Sequence, residues 1–486
     1  YEMIETAGSN FAANGNTTLG INGLHKATVQ KVNMDNNQRS NIGYLGRASY
    51  SYDDRYFFTG SYRRDGASVF GVNQKWGDFF AFGGAWRLSS EKFMSSISYL
   101  DDLKLKLSWG KNGNQGLDPY GTLSTINNGA SGGVRYEFGG SDIIYGLNQK
   151  ALGNANLGWE TTESWNTGFE SAWLGSRLFV DLDLYFSKTT DQIFTRDIPV
   201  MTGFKNMKSS MGQVNNRGVE LTIRSVNIDT QDWYWTTNLT FWLNRNKLIH
   251  LYGEDLDGDG REDDDISNSR FIGKPLGAIY GYLQDGIVQE TDVEYMKANG
   301  ATPGIPKYKD MDNDGVITSA DRIILGYSTP NFKLNMSNTI TYKNWDLYFM
   351  LTGTFGGGGY YQKSNKGAYL TNGSGRFNTN GIYIPWWTPE NKSNEYPAAT
   401  FNDDGGRFLG LQNRAFVRLQ DVTLSYTFRE PWVQKVNIQN LKVFFTTKNL
   451  FTITKWQGGD PEVGVTVSEN TYPVLTSFSL GANISF

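Results

Sequence analysis

Apolar and polar residues alternate along several long stretches of this chain. The clearest stretch places Leu178, Val180, Leu182, Leu184 and Phe186 between residues that include Asp181 and Asp183. Because side chains of a β-strand point alternately to its two faces, this pattern predicts a strand with one apolar and one charged face. Comparable alternation recurs over residues 103–109, 219–224, 233–243 and 478–486. The sequence therefore predicts an all-β protein.

Composition excludes several classes of function. The 486 residues are 14% aromatic and only 38% hydrophobic, and no stretch reaches about 18 consecutive apolar residues, the length that a transmembrane helix needs. The chain has no cysteine and two histidines, which rules out disulfides and thiolate zinc sites and leaves little for histidine catalysis. A net charge of −4 without a basic stripe argues against a nucleic-acid partner.

Two architectures are compatible with the alternation. A soluble β-sandwich has one solvated face on each sheet, and a transmembrane β-barrel has lipid outside and water inside. Thirteen candidate strands are expected at 43–52, 55–64, 78–88, 102–112, 157–174, 177–194, 214–228, 232–246, 332–343, 344–357, 413–429, 439–452 and 473–486.

The lengths of the connections favour the barrel. Short turns are expected at Asp53-Asp54, Gly175-Ser176, 229–231 and Lys343-Asn344. The intervening connections include 113–156, 247–331 and 358–412, far longer than the usual four to six residues or so. Outer-membrane barrels place short turns in the periplasm and long loops outside the cell. We therefore predict a transmembrane antiparallel outer-membrane β-barrel with long extracellular loops.

Several segments together resemble the SusC/RagA family of TonB-linked outer-membrane transporters. They are GRASYSYDDRYFFTGSYRRDGASVFG (46–71), FGGAWRLSSEKFM (82–94), LKLSWGKNGNQG (105–116), LGNANLGWETTESWNTGFE (152–170), VNNRGVELTI (214–223), PLGAIYGYLQDGI (275–287), NRAFVRLQDVTLSYTF (413–428) and TTKNLFTITKWQGGDPE (446–462). Their order along the chain makes the resemblance specific.

The resemblance implies active import across the outer membrane of a Gram-negative, Bacteroidetes-type bacterium. The nutrient would be an oligosaccharide or a peptide, a SusD-like surface lipoprotein would act as a lid, and the TonB complex would act through an N-terminal part. Plugged transporters of this kind have about 22 strands. Since neither a plug, a TonB-contacting segment nor the early strands are recognisable, residues 1–486 are expected to form the C-terminal portion of the barrel.

Two other functions remain open at this point. A passive outer-membrane porin would share the barrel but lack the plug, and a secreted carbohydrate-binding β protein would need no apolar belt. The sequence contains no recognisable catalytic constellation, so we do not expect an enzyme.

One acidic segment of loop 247–331 matches a calcium-binding loop at residues 310–321. Carboxylates stand at its first, third, fifth and twelfth positions (Asp310, Asp312, Asp314 and Asp321), and Gly315 stands at the sixth. Val316 can offer its carbonyl and Thr318 can bind directly or through water. The pattern predicts one structural calcium site, with a solvated acidic loop as the alternative.

A second acidic run and four aromatic residues carry weaker signals. The run from Asp255 has Glu262 at its eighth position and Ile266 at its twelfth, so a solvated loop is favoured there. In the long loop after residue 358, the aromatic residues suited to stacking on sugars are Tyr360, Tyr361, Trp386 and Trp387. Packing within the loop is an equally good interpretation of these four residues.

Overall fold

The backbone is dominated by strands, as the alternation predicts. The computed structural model describes residues 2–14, 28–128, 135–137, 143–145, 147–204, 206–360, 385–398, 401, 411–429, 431–435, 438–456, 460–462 and 474–486. None of the described helices is long and apolar enough to cross a membrane.

The described strands are numbered in chain order. They are β1 (Glu2–Asn14), β2 (Thr28–Tyr52), β3 (Tyr56–Ala67), β4 (Trp76–Arg87), β5 (Leu100–Asn114), β6 (Thr125–Asn128), β7 (Arg135–Glu137), β8 (Ile143–Tyr145), β9 (Leu147–Ala151), β10 (Glu160–Trp173), β11 (Leu178–Asp197), β12 (Asn206–Asp229), β13 (Trp233–His250), β14 (Ala278–Tyr282), β15 (Gln284–Ile287), β16 (Pro306–Tyr308), β17 (Arg322–Tyr327), β18 (Phe332–Tyr342), β19 (Trp345–Phe355), β20 (Gly358–Tyr360), β21 (Leu411–Asn413), β22 (Phe416–Phe428), β23 (Asn440–Thr454) and β24 (Ser477–Ser485).

The helical elements are few and short. They are the α-helices α1 (Val293–Asn299) and α2 (Pro431–Lys435), and single turns of 3-10 helix at Leu88–Ser90, Lys92–Met94, Val200–Thr202, Ile266–Asn268 and Ser319–Asp321.

Fourteen of the strands form one antiparallel sheet. Its order is β1-β2-β3-β4-β5-β10-β11-β12-β13-β18-β19-β22-β23-β24, so successive long strands are always neighbours. The other ten strands form two-stranded ribbons within the connections. Within the described residues the sheet is open, because β1 and β24 each pair on one side only. This up-and-down order is that of a barrel wall and excludes the two packed sheets of a sandwich.

The register sorts the side chains of β11 as predicted. Leu182 lies opposite Phe169 of β10 and Leu221 of β12, whereas Asp183 lies opposite Glu220 of β12. Directly paired residues of neighbouring strands point to the same side of a sheet. The sheet therefore has an apolar face, which contains Leu182, and a polar face, which contains Asp183. This confirms both predicted faces of the strand.

The strand prediction is wrong at the N-terminal edge of the sheet. It contains no counterpart of β1 and begins β2 at residue 43, whereas β2 begins at Thr28. The missed segments, EMIETAGSNFAAN and TVQKVNMDNNQRSNI, are small and polar and show little alternation. Pairing with neighbouring strands satisfies their backbone groups whether or not an apolar face is present, so the periodic signal is absent.

The tight connections all lie at one end of the sheet. Asp53, Asp54, Ser176 and Lys343 have positive φ angles between 49° and 60°. Two-residue hairpins need such angles because their twist must match that of the flanking strands. The sorting by length is not strict, since the connections 88–99 and 429–439 at this end are longer. We call this the turn end and the opposite one the loop end.

Aromatic residues mark both ends of the apolar face. On β4, Trp86 stacks on Tyr56 near the turn end, with ring centroids 6.3 Å apart, and Trp76 stacks on Tyr44 near the loop end at 6.4 Å. The two tryptophans are ten residues apart, or about 33 Å along a strand. A strand tilt of roughly 40° reduces this to about 25 Å of height, which is the height of the apolar band on an outer-membrane barrel.

Candidate functional site

A charge network covers the polar face of β5, β10 and β11. The Lys106 ammonium lies 2.8 Å from Asp181, 3.1 Å from Asp183 and 3.4 Å from Glu170. Lys104 forms a second ion pair with Glu170 at 2.5 Å. Period-2 alternation brings these groups together, because each strand presents its charged residues to the same side. The result is a hydrated wall in which most charges are paired.

A second pair lies farther along the same face. Lys442 of β23 contacts the Asp346 carboxylate at 2.8 Å, and the Thr341 hydroxyl donates to that carboxylate at 2.7 Å. The acidic residues Asp181, Asp183, Glu220 and Asp346 are all on the polar face. Each of them except Glu220 is paired with a lysine.

A buried cation lies at the loop end of the polar face. Arg418 of β22 is 4% exposed and contacts Asp460, also 4% exposed, at 2.9 Å. It also pairs with Glu462 and donates to the Thr452 hydroxyl at 2.9 Å. The second oxygen of Asp460 is buried without a hydrogen-bond partner among the described residues. These contacts hold residues 460–462 of the last loop against β22.

The base of the longest loop is fixed by a polar cluster. The Tyr252 hydroxyl lies 3.1 Å from both Asp265 and Arg270, and burial raises the pKa of Tyr252 to about 12. Burial alone would raise the pKa of Asp265, but hydrogen bonds from Ser267 and Asn268 outweigh it and lower that pKa. Asp265 thus stays ionised beside Arg270, and the loop leaves the barrel wall in a defined direction.

Two long loops dock onto each other. The indole N–H of Trp387 donates to Gln289 at 2.9 Å, and the Ile287 amide donates to Asn394 at 3.0 Å. Gly304, with φ of +90°, leaves room for the Trp387 ring, since a Cβ there would lie 2.7 Å from it. Residues 278–327 and 385–398 therefore form one packed body at the loop end.

This packing decides between sugar stacking and loop packing for Trp387. Trp387 is only 8% exposed, so it is a core residue of the docked loops and offers no open ring face. Trp386 is half-buried, and its indole N–H has no hydrogen-bond partner among the described residues. The side chain of Tyr360 and the whole of Tyr361 lie outside the described residues.

The loop at 310–321 brings three of its predicted ligands together. Carboxylate oxygens of Asp310, Asp312 and Asp314 lie within 4.8 Å of one another. The amide of Gly315, which has φ of +89°, donates to Asp310 at 2.7 Å and closes the loop. A hydrogen bond from the Asp314 amide lowers the pKa of Asp312, but burial and the negative charges of Asp314 and Asp321 outweigh it and raise that pKa. The three carboxylates thus repel one another.

The other predicted ligands mainly shape the loop. Asp321 is fully buried and accepts hydrogen bonds from the amides of Met311 and Thr318, both at 2.7 Å, which lower its pKa. Its contribution to stability is therefore present above the usual pKa of aspartate and is lost only as the pH falls through the lowered value. The Thr318 hydroxyl accepts from Ala320 and caps the following turn, and Val316 is exposed.

The run from Asp255 folds in the same way, which the sequence did not indicate. Gly260 donates to Asp255 at 2.9 Å as Gly315 donates to Asp310, and Asp255, Asp257 and Asp263 bring oxygens within 4.8 Å of one another. Asp263 accepts the Leu256 amide, as Asp321 accepts that of Met311. The sequence signal for this loop is Asp263, at the ninth position from Asp255. It was missed because the calcium-loop pattern expects the closing carboxylate at the twelfth position, which is Ile266.

Known proteins are similar to this chain in sequence and in fold. Residues 4–450 match the family described as TonB dependent receptor-like, beta-barrel. The chain belongs to this family. It is 30% identical over 478 residues to the TonB-dependent receptor SusC of Bacteroides thetaiotaomicron, covering 95% of this chain and 45% of that protein. It is 29% identical over 469 residues to the TonB-dependent receptor P3 of Formosa agariphila, covering 93% of this chain and 46% of that protein.

A solved structure has the same fold. The RagAB peptide importer in its open-open state superposes with a TM-score of 0.79 at 22% identity, covering 100% of this chain and 52% of that chain. The chain thus spans about half the length of the relatives it matches. As a member of this family of receptor barrels, it is an outer-membrane protein of a Bacteroidetes-type Gram-negative bacterium. Its apolar face is the lipid face and its polar face is the lumen face.

Proposed function

We propose that this chain forms wall, lumen lining and extracellular loops of a TonB-dependent importer that carries an oligosaccharide or peptide nutrient across the outer membrane. The observation that carries this proposal is the family match over residues 4–450. A SusD-like surface lipoprotein would close over the extracellular loops, and the TonB complex would act on the rest of the protein. With a plug and about eight further strands supplied by that remainder, the barrel would reach about 22 strands.

The lumen face suits an uncharged or zwitterionic cargo. Lys104 and Lys106 offset most of the charge of Glu170, Asp181 and Asp183, so this part of the wall offers many hydrogen-bonding groups and a small net negative charge. Hydroxyl groups of sugars and amide groups of peptides can exchange water for such groups at small net cost, because paired surface charges interact weakly in a wet environment.

Uptake measurements test the proposal. A strain with this gene deleted should lose uptake of either a labelled oligosaccharide pool or a labelled peptide pool, and the wild type should lose the same uptake after deletion of tonB. Dissipating the proton gradient should abolish uptake as well. Uptake that depends on the gene but survives both treatments would contradict active import and would indicate a passive porin.

We also propose that Asp310, Asp312 and Asp314 bind one structural Ca²⁺, with the Val316 carbonyl completing the site and Thr318 binding directly or through water. Asp321, which the sequence placed among the ligands, organises the loop by accepting the amides of Met311 and Thr318 beside the site. The support is the clustering of three mutually repelling carboxylates, which a divalent cation would neutralise. No enzymatic role is proposed for the metal.

Removal of calcium should loosen the loop and leave the barrel intact. Ca²⁺ that binds only the folded loop stabilises it by mass action. Chelation should therefore raise amide hydrogen exchange in residues 310–321 by about tenfold or more, while exchange in β11 and β12 stays unchanged. The variant Asp312→Asn should show the fast exchange with or without calcium, and Asp285→Asn, a change of the same kind elsewhere in the loop, should behave like wild type. Exchange that is insensitive to chelation would refute the site.

A further inference from the structure

Four cations lie together on the lipid face at the loop end of the barrel. They are Lys188 of β11, Arg217 of β12, and Arg245 and Lys247 of β13. They follow directly on the apolar rows of the same strands, in which Leu184, Val219 and Leu243 lie in register. We refer to these four residues as the outer-rim cations.

The register forces the outer-rim cations close to one another. Arg217 lies directly opposite Arg245, and Lys247 lies opposite Asn215. Asn215 in turn lies opposite Lys188. Directly opposite side chains have Cβ atoms about 5 Å apart, and like charges in that position destabilise a sheet. Four positive charges are therefore held within three neighbouring strands.

Few acidic groups offset the positive charge of the outer-rim cations. Within the described part of the chain, none of the outer-rim cations has a carboxylate within the 4.0 Å of an ion pair. Glu163 lies opposite Lys188 in the register, and its carboxylate, which accepts the indole N–H of Trp109 at 2.8 Å, offsets at most one of the four positive charges. Arg245 donates to the backbone carbonyls of Asn244 and Asn331, which leaves its charge uncompensated.

The height of the cluster matches the membrane surface. Trp173, stacked on Tyr99 at the turn end, lies opposite Leu178 at the start of β11. Lys188 is ten residues farther along, which corresponds to about 33 Å of strand and about 25 Å of height at the usual tilt. Arg217 lies beside Phe186, one row lower, from where its long side chain can reach the interface. The outer-rim cations thus lie at the level of lipid headgroups.

The rest of the outer rim differs from this cluster. On β3 and β4, Arg64 is compensated by Asp78 at 3.8 Å. On β18 and β19 the corresponding positions hold Phe332 and Phe355, whose rings stack with centroids 4.5 Å apart. Among the described strands the uncompensated positive charge is thus concentrated on β11–β13, with Lys111 of β5, opposite Glu163, as one further cation without an ion pair.

We propose that the outer-rim cations bind the phosphate groups of an anionic lipid in the outer leaflet. The lipid's acyl chains would lie along the apolar rows below, and its phosphates would neutralise the opposed arginines. Arginine binds phosphate through paired N–H groups, and lysine does so as a point charge. The site would anchor this side of the barrel wall in the membrane independently of the transported cargo.

Lipid retention tests this site. The full-length protein is placed in nanodiscs of equimolar phosphatidylcholine and phosphatidylglycerol, and the lipids that remain bound after release into detergent are counted by native mass spectrometry. Wild type should retain phosphatidylglycerol preferentially. The triple variant Arg217→Gln, Arg245→Gln, Lys247→Gln should lower the ratio of bound phosphatidylglycerol to phosphatidylcholine by about tenfold, because basic residues near a membrane surface favour anionic lipids additively.

A matched variant controls for net charge. Lys92→Gln, Lys343→Gln and Lys435→Gln remove three exposed cations from separate turns at the turn end, and should change the lipid ratio far less than the outer-rim variant does, because these three form no cluster. Heat-modifiable migration on a gel reports whether each barrel is folded, and the double variant Lys188→Gln, Lys247→Gln replaces the triple variant if the latter does not fold. Equal lipid ratios for wild type and the outer-rim variant, or a lack of preference in wild type, would overturn the proposal.

Discussion

Replacing Leu182 with arginine should destabilise the folded barrel by about 2–4 kcal/mol. Leu182 lies mid-strand on the lipid face, between Phe169 and Leu221 of the neighbouring strands. A guanidinium there either enters hydrocarbon or draws water and headgroups into the bilayer, and both are costly. The measurement is the free energy of unfolding in denaturant for the protein reconstituted in lipid.

Thr222→Arg is the matched control for this substitution. It adds the same side chain on the lumen face, opposite Asp181, where water and a carboxylate can solvate it. Its effect should stay below about 1 kcal/mol, since it resembles a surface substitution. Asp183→Arg should also be milder than Leu182→Arg. If either lumen variant proved more damaging than Leu182→Arg, the two faces of the strand would be exchanged and the register would be wrong by one residue.

Replacing Arg418 with methionine should destabilise the loop end of β22 by about 3–5 kcal/mol. The change removes the cation from Asp460 and leaves a buried carboxylate unpaired, and uncompensated buried charges are costly. Amide hydrogen exchange in residues 416–420 and 450–454 measures the effect locally, and heat-modifiable migration measures it for the whole barrel.

A double-mutant cycle separates the ion pair from the loss of packing. Asp460→Leu alone leaves Arg418 with Glu462 and Thr452, so it should cost less than Arg418→Met. Combining both changes should recover part of the stability lost in Arg418→Met, because an apolar pair replaces a charge pair. Strict additivity of the two changes would show that Arg418 and Asp460 are not energetically coupled.

Strand positions could be predicted where one face must be apolar. The alternation over 178–187 locates β11 and its register because lipid and lumen impose opposite chemistry on neighbouring residues. The beginning of β2 and all of β1 show little alternation of apolar and polar residues. The sequence therefore gave no signal for a strand there. The fold of the wall is therefore readable from the sequence mainly within the apolar band.

Side-chain contacts between distant loops could not be predicted. Gln289 and Trp387 are 98 residues apart, and no local pattern links them. For Trp387 the sequence left sugar stacking and loop packing open, and burial decides for packing. The acidic loop was easier because its ligands are local, and Asp310, Asp312 and Asp314 lie together as the spacing predicts. The equivalent role of Asp263 was missed because it stands outside the expected spacing.

Site-directed labelling on intact cells tests the central claim, an outer-membrane barrel with its long loops outside the cell. Residues 1–486 contain no cysteine, so an introduced cysteine is unique within them, and the unsubstituted protein gives the background labelling. Val293→Cys, on exposed α1 in the longest loop, should react with a membrane-impermeant maleimide on intact cells. Gln231→Cys, in the exposed turn between β12 and β13, should react only after the outer membrane is disrupted. Labelling of residue 231 on intact cells while residue 293 is protected would contradict the account.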